Sequence, residues 1–218
     1  MMDAEGLKDA LLLAAAKFDD AEGRLNELDG NIGDGDHGIT VRIGFDAIRA
    51  DVGALDDNAS LEEILRAAGT AFMNATGGAI GVILGRALIA GAVALHGKEQ
   101  IGASEFLAML MNMEDAVTRV GKVKPGDKTI LDAIHAAAAV PPGVDLVVTM
   151  NASFLAAEKE AAETAKWPCK VGKASRLGDR AIGHPDPGAV SFSIFLKALL
   201  ESAESKAGAH SSRPSPVG

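Results

Sequence analysis

The sequence predicts an all-α protein built as a single domain, and three observations carry that expectation. The 218 residues are 48% hydrophobic but only 4% aromatic, with no Tyr and one Trp, Trp167. Alanine and leucine, both strong helix formers, dominate the apolar content over the residues that favour strands. Apolar residues also recur at three- and four-residue spacing in eight successive stretches, and no stretch reads as a convincing strand. Glycine, proline and capping residues punctuate those stretches at the places where helices begin and end. The length suits one domain and is ample for a sizeable core.

The first helix is the clearest, with Leu7, Leu11, Ala14, Phe18, Ala21, Leu25 and Leu28 on one stripe. It is expected to stop where Asp29-Gly30-Asn31 begins. Val41, Phe45, Ile48 and Val52 restart the period as a second helix. Ser60 and Glu63 form a capping box ahead of Leu61, Ile64, Leu65, Ala68 and Phe72. A glycine-rich fourth helix follows from Gly78 to His96, and a fifth from about Ser104 to Val120 carries Phe106, Leu110, Met113 and Val117. Pro125-Gly126-Asp127 is expected to place an N-cap before Ile130, Leu131, Ile134 and Ala138. Pro141-Pro142-Gly143 breaks that helix, and a seventh runs from Val144 to about Lys166. The stretch from Pro168 to Pro187 reads as a long glycine- and charge-rich loop, of a length usually functional or disordered. A last helix is expected from Gly188 to about Ser205, giving a domain over 1–207 and a disordered tail over 208–218.

A net charge of -9 argues against sequence-independent binding to nucleic acid or to an anionic membrane. The single cysteine, Cys169, has no internal disulfide partner, so a reducing, cytoplasmic location is expected. The acidic N-terminus with its short apolar run is not a signal peptide. The most apolar stretch, Ala79 to Leu95, carries Arg86 and several glycines, so it reads as a core helix rather than a membrane span.

The chemistry concentrates in Leu28-Asp29-Gly30-Asn31-Ile32-Gly33-Asp34-Gly35-Asp36-His37-Gly38. Asp29, Asp34 and Asp36 supply hard oxygen with short reach, which suits Mg²⁺, and their crowding asks for a cation. A turn in which each Asp caps backbone is the simpler alternative. An EF-hand is excluded, because no glutamate closes the loop at the twelfth position. His37-Gly38-Ile39-Thr40 opens the second helix, where free amides and the helix dipole favour an anion. Gly77-Gly78-Ala79-Ile80-Gly81 precedes another helix and serves either ligand contact or close helix packing; it is not a Walker A motif. Lys170, Lys173, Arg176 and Arg180 gather positive charge in a late loop that ends in Asp186-Pro187-Gly188, and that loop is expected to cover a phosphate or nucleotide. Lys122, Lys124 and Lys128 make a weaker basic turn, in which Asp127 and Thr129 are equally well explained as helix-start residues.

Together, Leu25–Asp29, Ile32–Gly38, Lys124–Thr129 and Gly183–Gly188 resemble the nucleotide-binding L subunit of dihydroxyacetone kinases. The resemblance implies an antiparallel barrel of eight helices with a Mg²⁺-nucleotide site at one end. It implies that Asp29, Asp34 and Asp36 bind two Mg²⁺ holding ADP or ATP. Phosphate and ribose contacts carry over to His37, Gly38, Ile39, Thr40, Ile80, Gly81, Asp186, Pro187 and Gly188. The adenine side carries over to Gly121 and Ile130, and the phosphate-facing basic residue to Lys173. Thr40, Ile80 and Lys173 stand where the family usually has asparagine, serine and arginine; a lysine keeps the charge but loses the bidentate fork.

The resemblance further implies a separate K subunit that holds the ketose and supplies the base, so no catalytic acid or base is assigned here. The phosphoryl source is either exchanged ATP or a phosphotransferase-system phosphocarrier that recharges bound ADP. A related tetrose kinase acting on erythrulose is one alternative, and a nucleotide-sensing regulatory module is the other.

Overall fold

The computed structural model describes residues 1–172, 175 and 179–211. Its helices are α1 (Ala4–Ile32), α2 (His37–Gly53), α3 (Leu61–Ala75), α4 (Gly78–Val93), α5 (Ala103–Gly121), α6 (Ile130–Ala138), α7 (Leu146–Glu163) and α8 (Pro187–Ser211), with a 3₁₀ turn at Thr164–Lys166 after α7. Among the described residues there is no strand, only an isolated antiparallel bridge between Met2 and Ile101.

Each helix packs against the next in sequence, and α8 packs back against α1, so the ring closes. Such connections between neighbours make an up-and-down antiparallel barrel. Its interior is filled by the faces that the helical periodicity marks. Phe45 is 1% exposed and lies 4.3 Å from Phe18, 5.7 Å from Phe72 and 6.1 Å from Phe195 between ring centroids. Where helices approach most closely, glycine makes room: a Cβ on Gly85 of α4 would lie 2.8 Å from the Gly69 carbonyl oxygen of α3. Among the described residues, no helix is long and apolar enough to cross a membrane.

Several boundaries differ from the sequence expectation for local reasons. α1 continues past Asp29 to Ile32, where the Gly33 amide donates to the Asp29 carbonyl. Thr129, not Asp127, is the N-cap of α6. Asp132 reaches back to accept from the Thr129 amide at 2.7 Å, and Thr129 Oγ1 accepts from Leu131. Asp127 is instead buried, accepting from the Lys124 amide at 2.9 Å. α7 begins at Leu146 because the Asp145 side chain caps it through Val148. α8 begins one residue early, with Pro187 in the first-turn position that proline suits, and continues to Ser211 rather than ending near Ser205. The first residues of the expected tail, 208–211, are therefore helical, and 212–218 lie outside the described residues.

Candidate functional site

The up-and-down ring places the N-termini of α2, α4, α6 and α8 at one end of the barrel, beside the C-terminal ends of α1 and α5. A cleft of about 600 Å³ opens there. Its walls include Asp29, Asp34, Asp36, His37 and Thr40 on one side, Gly77 to Ile80 on another, and Thr129, Ile130, Asp186 and Pro187 opposite. The far end is apolar, lined by Ile83, Val117, Val123 and Val171.

The acidic corner is built by a chain reversal. Gly35 adopts φ +80, a conformation an L side chain resists, and its Cα region packs over Gly30. The reversal lets Asp29 Oδ2 accept from the Gly35 amide at 2.8 Å and the Asp36 amide at 3.1 Å. A Cβ on Gly33 would collide with the same carboxylate. Asp29, Asp34 and Asp36 can each offer an oxygen, with all three oxygens within 4.8 Å of one another. Asp36 stands at the N-cap of α2 but makes no side-chain capping bond. The alternative in which every Asp is used up capping backbone therefore does not describe Asp36. Three hard oxygens in this arrangement fit a divalent ion such as Mg²⁺.

The helix ends differ in how they are capped. α6 is capped by Thr129, and in α8 the Ala189 amide donates to Asp186 Oδ2 at 2.7 Å. α4 has no side-chain cap among the described residues, and its start, Gly77 to Ile80, lines the cleft. α2 has no cap from Asp36, though the Ile39 amide donates to Asn26 Oδ1 at 3.1 Å. His37 Nε2 lies 2.5 Å from Ser191 Oγ, and that hydroxyl donates to the Pro187 carbonyl at 2.7 Å. The serine thus joins the His37 ring to the first turn of α8. Burial pushes the His37 pKa down, against the upward pull of Asp29 and Asp36. Burial also pushes the Asp186 carboxyl up to about 7, although the Ala189 amide favours its ionised form.

Of the residues singled out from sequence, His37, Thr40, Ile80, Gly121, Ile130, Asp186, Pro187 and the three loop aspartates line the cleft. Gly38, Ile39, Gly81 and Gly188 do not. Gly38 is pressed against the Glu22 carbonyl of α1, and Gly81 faces Thr76 Oγ1 and its carbonyl. Gly188 packs on Asp186 and Ile130, while the Ile39 side chain is exposed. The close packing at the three glycines lets the helix starts sit where they do. Lys173 and Arg176 lie outside the described residues. Lys170 turns its Nζ to the Gly126 carbonyl at 2.7 Å, tying the late segment to the α5–α6 connection.

A family model described as the DAK2 domain matches residues 31–201. The chain belongs to the DAK2 domain family. A relative from Listeria innocua, named PEP-dependent dihydroxyacetone kinase 2, ADP-binding subunit DhaL, is 34% identical over 81% of this chain and 84% of its own length. The corresponding Escherichia coli subunit is 31% identical over 83% of this chain and 88% of its own length. L-Erythrulose 1-kinase of Mycolicibacterium smegmatis is 37% identical over 84% of this chain but only 33% of that protein. Among solved structures, the dihydroxyacetone kinase from C. freundii in complex with AMP-PNP and Mg²⁺ matches with a TM-score of 0.67 at 26% identity. The match covers 89% of this chain and 33% of that one, so this DAK2 domain spans about a third of that kinase. These relatives bear out the resemblance to the L subunit and the eight-helix barrel.

This DAK2 domain also has cleft residues that sequence reasoning did not assign to the site. Val117 reads as an ordinary core-face position of the fifth helix, because an apolar cleft wall and a helix core have the same periodicity, and Ile83 and Val123 carry no sequence signal of their own. Lys128 reads as part of a weak basic turn, yet it is 1% exposed. The signal that could have found it is weak: a lysine between Asp127 and the capping Thr129 has little room to reach solvent.

Proposed function

We propose that the protein is the Mg²⁺-ADP- or Mg²⁺-ATP-binding subunit of a dihydroxyacetone-type kinase, transferring a phosphoryl group to a short ketose held by a separate K subunit. The observation that carries this reading is the convergence of three carboxylate oxygens within 4.8 Å at the mouth of a cleft walled by four helix N-termini. The carboxylates attract cations and the open amides of α4 attract phosphate oxygens, a combination suited to a metal-bound polyphosphate. Asp29, Asp34 and Asp36 would hold the magnesium, two ions in the family's manner. Bound magnesium neutralises charge on a transferring phosphoryl group and orients it.

The protein's own residues do the binding and positioning. The α4 first turn, at Gly78, Ala79 and Ile80, offers backbone N–H groups to phosphate; Ile80 offers no hydroxyl. His37 and Thr40 flank the phosphates from α2, and Asp186, Pro187 and Gly188 form the start of α8 beside the sugar. Ile80, Ile83, Val117, Val123 and Ile130, with Gly121, give the base an apolar slot. No acid or base of this chain is assigned to the proton transfer. That role, with the covalent holding of the ketose, belongs to the K subunit. Two relatives are named PEP-dependent, which favours a phosphocarrier protein that recharges bound ADP over ATP exchange.

A second reading is favoured by the 37% identity to an L-erythrulose 1-kinase, in which the acceptor is a tetrose. One assay tests both. The protein is combined with K-type subunits and given either ATP or a phosphorylated carrier, with dihydroxyacetone and erythrulose as acceptors. Phosphoryl transfer is expected only with a K subunit present. No transfer under any pairing contradicts the enzyme reading, and the preferred acceptor decides between the ketoses.

A further inference from the structure

Nucleotide binding as described above makes no use of Lys128, the one fully buried ammonium among the described residues. It stands in the connection before α6, next to the cleft residues Thr129 and Ile130, with φ +64. A non-glycine residue resists that conformation, and burial pushes the ammonium's pKa down. Two unfavourable features at one residue persist only where the surroundings impose them. What offsets them is specific: Lys128 Nζ donates to the Trp167 carbonyl at 3.0 Å and to the Ala181 carbonyl at 2.6 Å. Those carbonyls stand on either side of Cys169, Val171 and Gly172, which form a wall of the cleft.

Further bonds join the same elements. The Lys170 amide donates to the Asp127 carbonyl at 3.3 Å, the Gly183 amide to the Ala165 carbonyl at 2.7 Å, and the Asp186 amide to Thr164 Oγ1 at 2.9 Å. Among the described residues of the α5–α6 connection, only Lys128 hydrogen-bonds both sides. A point charge on a flexible stem, with three rotatable donors, suits the task of gathering carbonyls.

We propose that Lys128 is a positioning residue of the nucleotide cleft: its buried ammonium gathers the Trp167 and Ala181 carbonyls and so sets the Cys169–Gly172 wall at the width that holds nucleotide. The proposal rests on the nucleotide reading above. A purely structural role would lower thermal stability and leave affinity at moderate temperature unchanged, which separates the two.

The test compares wild type with Lys128→Met, which keeps length and apolar bulk but removes the donors. Trp167, the only tryptophan, reports on the wall through acrylamide quenching of its fluorescence. The expected result is a Mg²⁺-ADP dissociation constant raised about tenfold, a loss of about 1.4 kcal/mol, with increased quenching and unchanged helix content. Unchanged affinity in a folded variant overturns the proposal. If Lys128→Met does not fold, wild type decides. Mg²⁺-ADP should then reduce Trp167 quenching and slow hydrogen exchange of the Lys170 and Gly183 amides; no change in either overturns it. If wild type binds no adenine nucleotide, the nucleotide reading falls and the proposal, which rests on it, falls with it; quenching unchanged by Lys128→Met would separately refute the wall-holding role.

Discussion

Asp29 sits in the last turn of α1, where the helix dipole is negative and no basic residue offsets it. A carboxylate there is held by the Gly35 and Asp36 amides, and under the proposed function it would gain further from a cation shared with Asp34 and Asp36. Asp186 poses the opposite problem, a carboxyl whose burial raises its pKa from the ordinary 3.8 to about 7. Between those values the unfolded chain releases a proton that the folded chain retains, so stability contributed at low pH is lost as pH rises toward 7. Asp186→Asn keeps an oxygen for the Ala189 amide but removes the titration. In EDTA, its Tm relative to wild type should therefore rise between pH 4 and pH 8, and parallel Tm curves would contradict the assignment. The aspartate cluster was legible in sequence because Asp-Gly spacing is local chemistry. The burial of Lys128 was not, because it depends on Trp167 and Ala181, far along the chain.

At the scale of elements, the glycines of the helices divide into two kinds that sequence alone leaves together. Gly23 lies exposed in α1, and a Cβ added there would have nothing within 4 Å, whereas a Cβ on Gly85 would meet Met73 Cβ at 2.7 Å and the Gly69 carbonyl. Gly23→Ala should stabilise by roughly 0.5–1 kcal/mol through helix propensity. Gly85→Ala should destabilise by roughly 1–3 kcal/mol through overpacking of α3 on α4. Urea denaturation of both variants checks the pair; equal effects would show that α3 and α4 are not in close contact there. The Ser60–Glu63 capping box was readable because both partners lie within one turn, and the structure has it as expected. The α6 start was misplaced at Asp127 for a related reason. Either Asp127 or Thr129 can cap, and the choice is made by Asp132 reaching back and by the burial of Asp127. Likewise, the extra turn of α1 is held by the Gly33 bond to the Asp29 carbonyl, not by apolar periodicity.

At the scale of the whole molecule, function follows from how the ring alternates. An even number of helices in up-and-down order, closed by α8 on α1, puts four N-termini at one end, and the α1–α2 connection brings the carboxylates to the same end. Helix number and order were legible from periodicity, and the barrel from the resemblance to the L subunit. The cleft's apolar end was not, since the same side chains would serve a closed core. The functional reading turns on Asp29, Asp34 and Asp36 holding the metal that in turn holds the donor nucleotide. Calorimetric titration of ADP into wild type and Asp34→Ala, each with Mg²⁺ and with EDTA, probes that arrangement without a partner subunit. Wild type should bind tightly only with Mg²⁺, and Asp34→Ala should lose that Mg²⁺-dependent binding with helix content unchanged by circular dichroism. Equal Mg²⁺-dependent affinity in the two proteins would contradict it.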